Sequence, residues 1–320
     1  MISSSKSKSL LALILLLPLF SMAQEEAAFE RLPRDTLDVL PPAARVSGEP
    51  GAMRIMDRSC RQLPLSEVRQ RIIDVATQEW AWFGYSVLDM TSPEELDANA
   101  GRSRRWWRSD WMTADEARRV SDDIAGYWAA APDSSWLLEN QNRRWREQGI
   151  TARWRDFWSA AFISWVMCES GLGEPEQFQR AIAHHTYIDQ AIRARDGAES
   201  SAAFTAYDVG EAEILPGDML CRGSRPAYRN LDQRRAQMGE GARTHCDIVV
   251  SLDKEAGHFQ VIGGNVRGAV RMKLLPGAEA ENELFVPTPY GERRIFTHMK
   301  LSAPEDISDI RVASQILKSG

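Results

Sequence analysis

The stretch Phe157-Trp158-Ser159-Ala160-Ala161-Phe162-Ile163-Ser164-Trp165-Val166-Met167-Cys168-Glu169-Ser170-Gly171 decides how this chain is read. It is apolar nearly all round, the pattern of a buried helix. Asp156 is placed to cap it, and Gly171 stands where a helix ends in the left-handed conformation. Ser159 falls in the first turn, where free N–H groups and the positive end of the helix dipole favour developing negative charge. Cys168 cannot share that turn, because it lies about 13 Å further along the helix axis.

Working outward, Ser66 to Phe83 carries apolar residues at helical spacing, with Ser66 as cap and Gly84 as stop. Pro175 to Arg195 reads as another helix, with Phe178, Ile182, His185, Ile188 and Ile192 on one side. The period then changes. Residues 215–221 form a turn and a strand, 245–252 a strand, 253–257 a hairpin turn, 258–265 its partner, and 270–274 a further strand. Residues 222–243 are polar and Arg-rich, and read as a loop or insertion. Helices first and an antiparallel sheet second give an α+β class, with N-terminal helices packed on a small antiparallel β-sheet.

All eleven tryptophans lie between Trp80 and Trp165, many beside arginines, as in Arg104-Arg105-Trp106-Trp107-Arg108. Residues 91–155 therefore read as a helical insertion, with one amphipathic helix over Asp115–Ala130. Two readings stand for its tryptophans: a surface that stacks on sugars and forks onto anions, or core residues flanked by snorkelling arginines.

The chain opens with Lys6 and Lys8, an apolar run from Leu10 to Phe20, and Ser21-Met22-Ala23 before Gln24. This is a signal-peptide pattern over 1–23 with cleavage after Ala23, and its apolar run is too short to span a bilayer. The expectation is a periplasmic or secreted protein with no stable membrane insertion. Loss of the two lysines takes the formal charge from −6 to −8, which does not suit nucleic-acid binding. Residues 24–64 lack periodicity and read as a leader or linker. No metal-ligand spacing and no cofactor motif is present.

Chemistry picks out three residues: Ser159 at a helix start, His245 at a strand start, and Asn265 at the end of the next strand. A hydroxyl nucleophile needs an adjacent base, histidine suits that role near neutral pH, and a third polar group fixes the imidazole tautomer. Each has a second reading: Ser159 as a small helix-start residue, His245 as a strand-edge histidine bonded to Asp218, and Asn265 as a turn residue. His184 and His185 sit among apolar neighbours and read first as core histidines.

Trp158-Ser159-Ala160-Ala161-Phe162-Ile163-Ser164-Trp165, Pro216-Gly217-Asp218, His245 and Gly263-Gly264-Asn265 resemble the core of the papain-like NlpC-type and CHAP-type cell-wall peptidases. With His185-Thr186-Tyr187-Ile188 and His245-Cys246-Asp247-Ile248-Val249, the chain more closely resembles the bacterial domain-of-unknown-function 2272 family. The resemblance implies a single papain-like domain over 65–300, with 301–320 as a tail. It implies a hydrolase of amide or ester bonds in peptidoglycan peptides, with Ser159, His245 and Asn265 catalytic and Asp218, Asp247, His185 and Trp158 supporting. The same resemblance also allows an inactive module that binds peptidoglycan or a periplasmic protein. Those peptidases carry Cys where this chain has Ser159, and a serine gains much less from a helix dipole than a thiolate does.

Strand parity bears on the cysteines. If His245 faces the helix, Cys246 faces away, and Cys221 reaches the same outer face from the Asp218 strand. A Cys221–Cys246 disulfide and two buried free thiols both fit this pattern.

Overall fold

The computed structural model describes residues 30–92, 114–152 and 154–305. Its centre is an eight-stranded sheet in the order β3-β8-β7-β6-β5-β10-β4, with β9 paired to β8. The strands are β3 (Val87–Asp89), β4 (Phe204–Tyr207), β5 (Met219–Arg225), β6 (Arg243–Asp253), β7 (His258–Val266), β8 (Ala269–Glu279), β9 (Phe285–Pro287) and β10 (Ile295–Leu301). All pairings in it are antiparallel except β3 with β8. The class is α+β as expected, but the sheet is larger than expected. It gains β10, which inserts between β4 and β5, far away in sequence.

Helices α1 (Leu65–Trp82), α2 (Ala114–Ala130), α3 (Ser135–Gln148), α4 (Ser159–Glu169), α5 (His184–Arg195) and α6 (Leu231–Arg235) complete the chain, with a short β1 (Val46–Ser47) and β2 (Arg54–Ile55) pair. The α4 stretch is buried along its whole length, and Phe162, Trp165 and Val166 join α1, α2, α5 and one face of the sheet in the main core. It ends in a Schellman turn: Gly171 has φ +101°, and the Leu172 N–H donates to the Met167 carbonyl at 3.0 Å. Its start differs from expectation, since Trp158 is the N-cap and no side chain caps it.

The α5 helix begins at His184, not Pro175. Upstream, the backbone is held by side chains: the Gln179 N–H donates to Gln190 at 2.6 Å and the Ala181 N–H to Ser164 at 3.0 Å. Those bonds compete with a helical ladder.

Residues from Glu30 onward are packed into the body. Leu37 and Val39 are core residues. Arg31 forks onto Glu79 at 2.7 and 3.0 Å and pairs with Asp123 at 3.0 Å. Buried Arg45 reaches Glu169 at 2.5 Å, and Cys60 is disulfide-bonded to Cys168. Trp80, Trp128, Trp145, Trp158 and Trp165 are buried, as core packing requires, whereas Trp136 is 49% exposed. The signal segment 1–23, Arg104 to Trp107 with Arg108, and most of the 301–320 tail lie outside the described residues. Among the described residues no helix is long and apolar enough to cross a membrane.

Candidate functional site

Ser159, the first residue of α4, is nearly buried, and its Oγ lies 2.7 Å from His184 Nε2 at the start of α5. The other ring nitrogen of His184 is committed. Nδ1 accepts the Cys246 backbone N–H at 3.3 Å and lies against the Tyr187 hydroxyl from the next turn of its own helix. A backbone N–H can only donate, so the neutral ring carries its proton on Nε2 and donates it to Ser159. Burial first, and the neighbouring His245 second, push the His184 imidazolium pKa well below the usual histidine range.

The Cys246 N–H is available because the sheet opens at this point. The β6–β7 pairing runs from Asp253↔His258 to Ile248↔Ile262 and ends there. Past Ile262, β7 shifts register between Gly263 and Val266. The two glycines have separate reasons. A Cβ on Gly264 would come within 2.4 Å of Phe162 Cβ, so α4 packs directly on the β7 backbone. A Cβ on Gly263 would come within 2.0 Å of Asp247 Oδ1, in space that the Asp247 side chain fills.

His245 and Asp247 alternate with Cys246 along β6, and their strand face carries Leu220, Val249 and Val261 of a second core cluster. Cys221 and Cys246 face the helices and are joined by a disulfide. Parity thus gives the Cys221–Cys246 pair on the face opposite to the one expected. His245 does not hydrogen-bond to Ser159. Its ring stands edge-on to His184, 5.2 Å between centroids.

Asp247 Oδ1 lies 2.9 Å from His245 Nε2, and Oδ2 accepts from buried Lys273. Burial acts to raise the Asp247 carboxyl, but the charges and hydrogen bonds of His245 and Lys273 outweigh it and hold the group far below the carboxylate range. Desolvation pushes His245 down to about 4 and Lys273 down to about 8, against the pull of Asp247. At neutral pH His245 is therefore uncharged, with Nε2–H on Asp247 and Nδ1 without a hydrogen-bond partner among the described residues. That is the tautomer an oriented base needs.

The remaining expected residues fall elsewhere. Asn265 has φ +55° near the end of β7, within its register shift against β8, and Asp247 takes the place expected for it on His245. Asp218 does not touch His245. Its two oxygens accept from Arg69 (3.0 Å), Leu301 N–H (3.0 Å), Leu215 N–H (3.0 Å) and His298 Nε2 (2.7 Å), which ties β5 to α1 and β10. His185 turns to the Ala242 carbonyl, 3.2 Å from its Nδ1, and Trp158 stacks on Tyr127 with centroids 5.7 Å apart.

A family model described as "Uncharacterized protein conserved in bacteria (DUF2272)" matches residues 111–289, more than half of the chain. The chain belongs to DUF2272. No curated protein and no solved structure matches it. The matched DUF2272 region holds Ser159, His184, Tyr187, His245, Asp247 and Lys273, whereas the packed segment from Glu30 and helix α1 precede it.

Two members of this DUF2272 cluster carried readable signals that point to their places. Tyr187 is three residues after His184, on the same helix face. Lys273 sits in a strand at a position whose parity matches Leu275, a core residue. Among the described residues no three metal-capable side chains come together. A recess between β2 and α3, lined by Arg58, Asn142 and Arg146, shares no residue with the cluster. Its Asn142 is already bonded to the backbone of Gly51 and Met53.

Proposed function

We propose that this chain is an exported papain-like module that binds peptidoglycan peptides without cleaving them. One observation carries the reading: the histidine that touches Ser159 gives it a proton. For His184 to take the Ser159 proton, Nε2 would have to be bare and Nδ1 protonated. An Nδ1 proton would then face the Cys246 N–H, donor against donor, in a buried site. The serine has no base on it. The order of Ser159 at a helix start, His245 on a strand and Gly263-Gly264-Asn265 on the next supports a papain-like ancestry. Two disulfides favour an oxidising compartment.

A second reading rests on the Asp247-held tautomer of His245. A hydrolase would use His245 Nδ1 as base, once Ser159 had left His184 for it.

The test is incubation with purified peptidoglycan sacculi, followed by sedimentation and analysis of the supernatant. The binding reading expects co-sedimentation without soluble muropeptides, unchanged in Ser159→Ala. Muropeptide release by the wild type that disappears in Ser159→Ala supports the hydrolase. Release gained only in Ser159→Cys marks a site that has lost its nucleophile.

A further inference from the structure

Arg222 stands opposite His245 in the β5–β6 register, on the strand face that also carries Asp247 and Lys273. Tyr290 packs in the core of that face with Leu220 and Val249. An isolated bridge holds Tyr290 to Arg293, each backbone N–H donating to the other's carbonyl at 3.1 Å. Neither guanidinium has an ion pair or a side-chain hydrogen bond among the described residues, although both are half-buried. Tyr290 is 2% exposed, and its hydroxyl has no partner among the described residues.

This is an unusual excess of unused donors. Lys273 and the two arginines bring three cations to one patch. The facing carboxylate, Asp247, already accepts from Lys273 and His245. His245 and the more distant His184 are uncharged at neutral pH. Burial, then the charge of Arg222, lowers the Arg293 guanidinium pKa, the mark of like charges held together out of water. A buried hydroxyl with no partner and two forked cations with none are completed by one kind of ligand, a planar oxyanion.

We infer that Arg222, Arg293 and Tyr290 form a subsite for a carboxylate of the bound peptide, beside the His245–Asp247 pair. This rests on the peptide-binding reading and deepens it, by making recognition depend on a free carboxylate. The arginines fork onto the two oxygens and the Tyr290 hydroxyl donates a further hydrogen bond.

The probes are N-acetyl-Ala-Ala with a free C-terminal carboxylate, the same peptide as its amide, N-acetyl-Glu amide, and inorganic phosphate. Each is titrated into the full mature chain and followed by amide and arginine side-chain NMR shifts. The inference expects a free-carboxylate peptide to bind and the Ala-Ala amide not to. The two carboxylate peptides tell a chain terminus from an acidic side chain. Arg222→Gln and Arg293→Gln each weaken binding by about tenfold or more, the scale of a lost charged hydrogen bond. Arg222→Lys retains part of it, and unchanged far-UV circular dichroism shows that the variants fold. Equal binding of acid and amide overturns the inference, as does binding unaffected by the arginine substitutions or tighter binding of phosphate than of either carboxylate. Loss of carboxylate binding with sacculus binding retained rejects the subsite alone. Carboxylate binding without sacculus binding rejects the peptidoglycan reading alone.

Discussion

His184 Nε2 lies 2.7 Å from Ser159 Oγ, a contact in which the Cys246 N–H on Nδ1 makes His184 the donor. The direction of that one bond follows from the Cys246 N–H at the far side of the ring. It makes Ser159, the first residue of α4, an acceptor that satisfies a buried histidine. Ser159→Ala should therefore cost about 1–3 kcal/mol of stability, the penalty for leaving a buried N–H unpaired. Urea denaturation measures it, and no loss of stability would mean that the bond is absent.

Acidification should destabilise the protein in a defined window. The His245 pKa is depressed from 6.5 to about 4. Between those values the unfolded chain binds a proton that the folded chain does not, so the contribution of His245 to stability rises with pH from about 4 to 6.5 and is level above. This amounts to roughly 3 kcal/mol across the window. His184 is shifted in the same direction and adds to it. Asp247, with its depressed pKa, loses stability further as the pH falls below the ordinary carboxylate range. Chemical denaturation at pH 7 and pH 4.5 checks this, and a His245→Gln variant should show a flatter profile.

Asp247→Asn leaves the Lys273 ammonium buried without its counter-charge. The expected loss is about 3–5 kcal/mol. Asp247→Asn combined with Lys273→Met should recover much of it, because an apolar residue of similar length replaces an unpaired buried charge. Additive losses in the double variant would refute the pairing.

Gly263→Ala should disrupt the same pair by volume alone, since the new methyl would lie 2.0 Å from Asp247 Oδ1. The expected cost is about 1–3 kcal/mol, with a shift of the His245 titration seen by NMR. Gly239→Ala has nothing within 4 Å to meet, although its φ of +82° disfavours a side chain; it should leave that titration unchanged.

Much of this arrangement was legible in the sequence. The α4 helix and the β6–β7 hairpin follow from apolar run and turn chemistry, and strand parity offered the Cys221–Cys246 pairing beside two free thiols. What escaped depends on contacts between distant segments. β10 lies between β4 and β5, so its seven residues gain their identity as a strand from neighbours that local pattern does not specify. The face assignment of His245 escaped because parity fixes only which residues share a face, and which face meets the helices depends on contacts between distant segments. Asn265 has the right residue type at the right place, yet β7 shifts register there and the carboxylate two residues from His245 is the group bonded to it. The Cys60–Cys168 bridge was hidden because residues 24–64 carry no period, and the packing of residues 30–64 relies on single anchors such as Arg31 and Arg45.

Both bridges predict a thiol count. The denatured protein should react with no thiol reagent until a reductant is added. Removing Cys60–Cys168, which spans 108 residues, should cost more than removing Cys221–Cys246, which spans 25. Both fall within about 2–5 kcal/mol, because the longer loop restricts the unfolded chain more.

The direction of the Ser159–His184 bond is open to direct observation by nitrogen-15 NMR of the histidine ring in the intact protein. At pH 7 the His184 signals should show a proton on Nε2 and a bare Nδ1, with Nδ1 shifted by the bond from Cys246. A protonated Nδ1 with a bare Nε2 would make His184 a base for Ser159 and contradict the assignment of this site as non-catalytic.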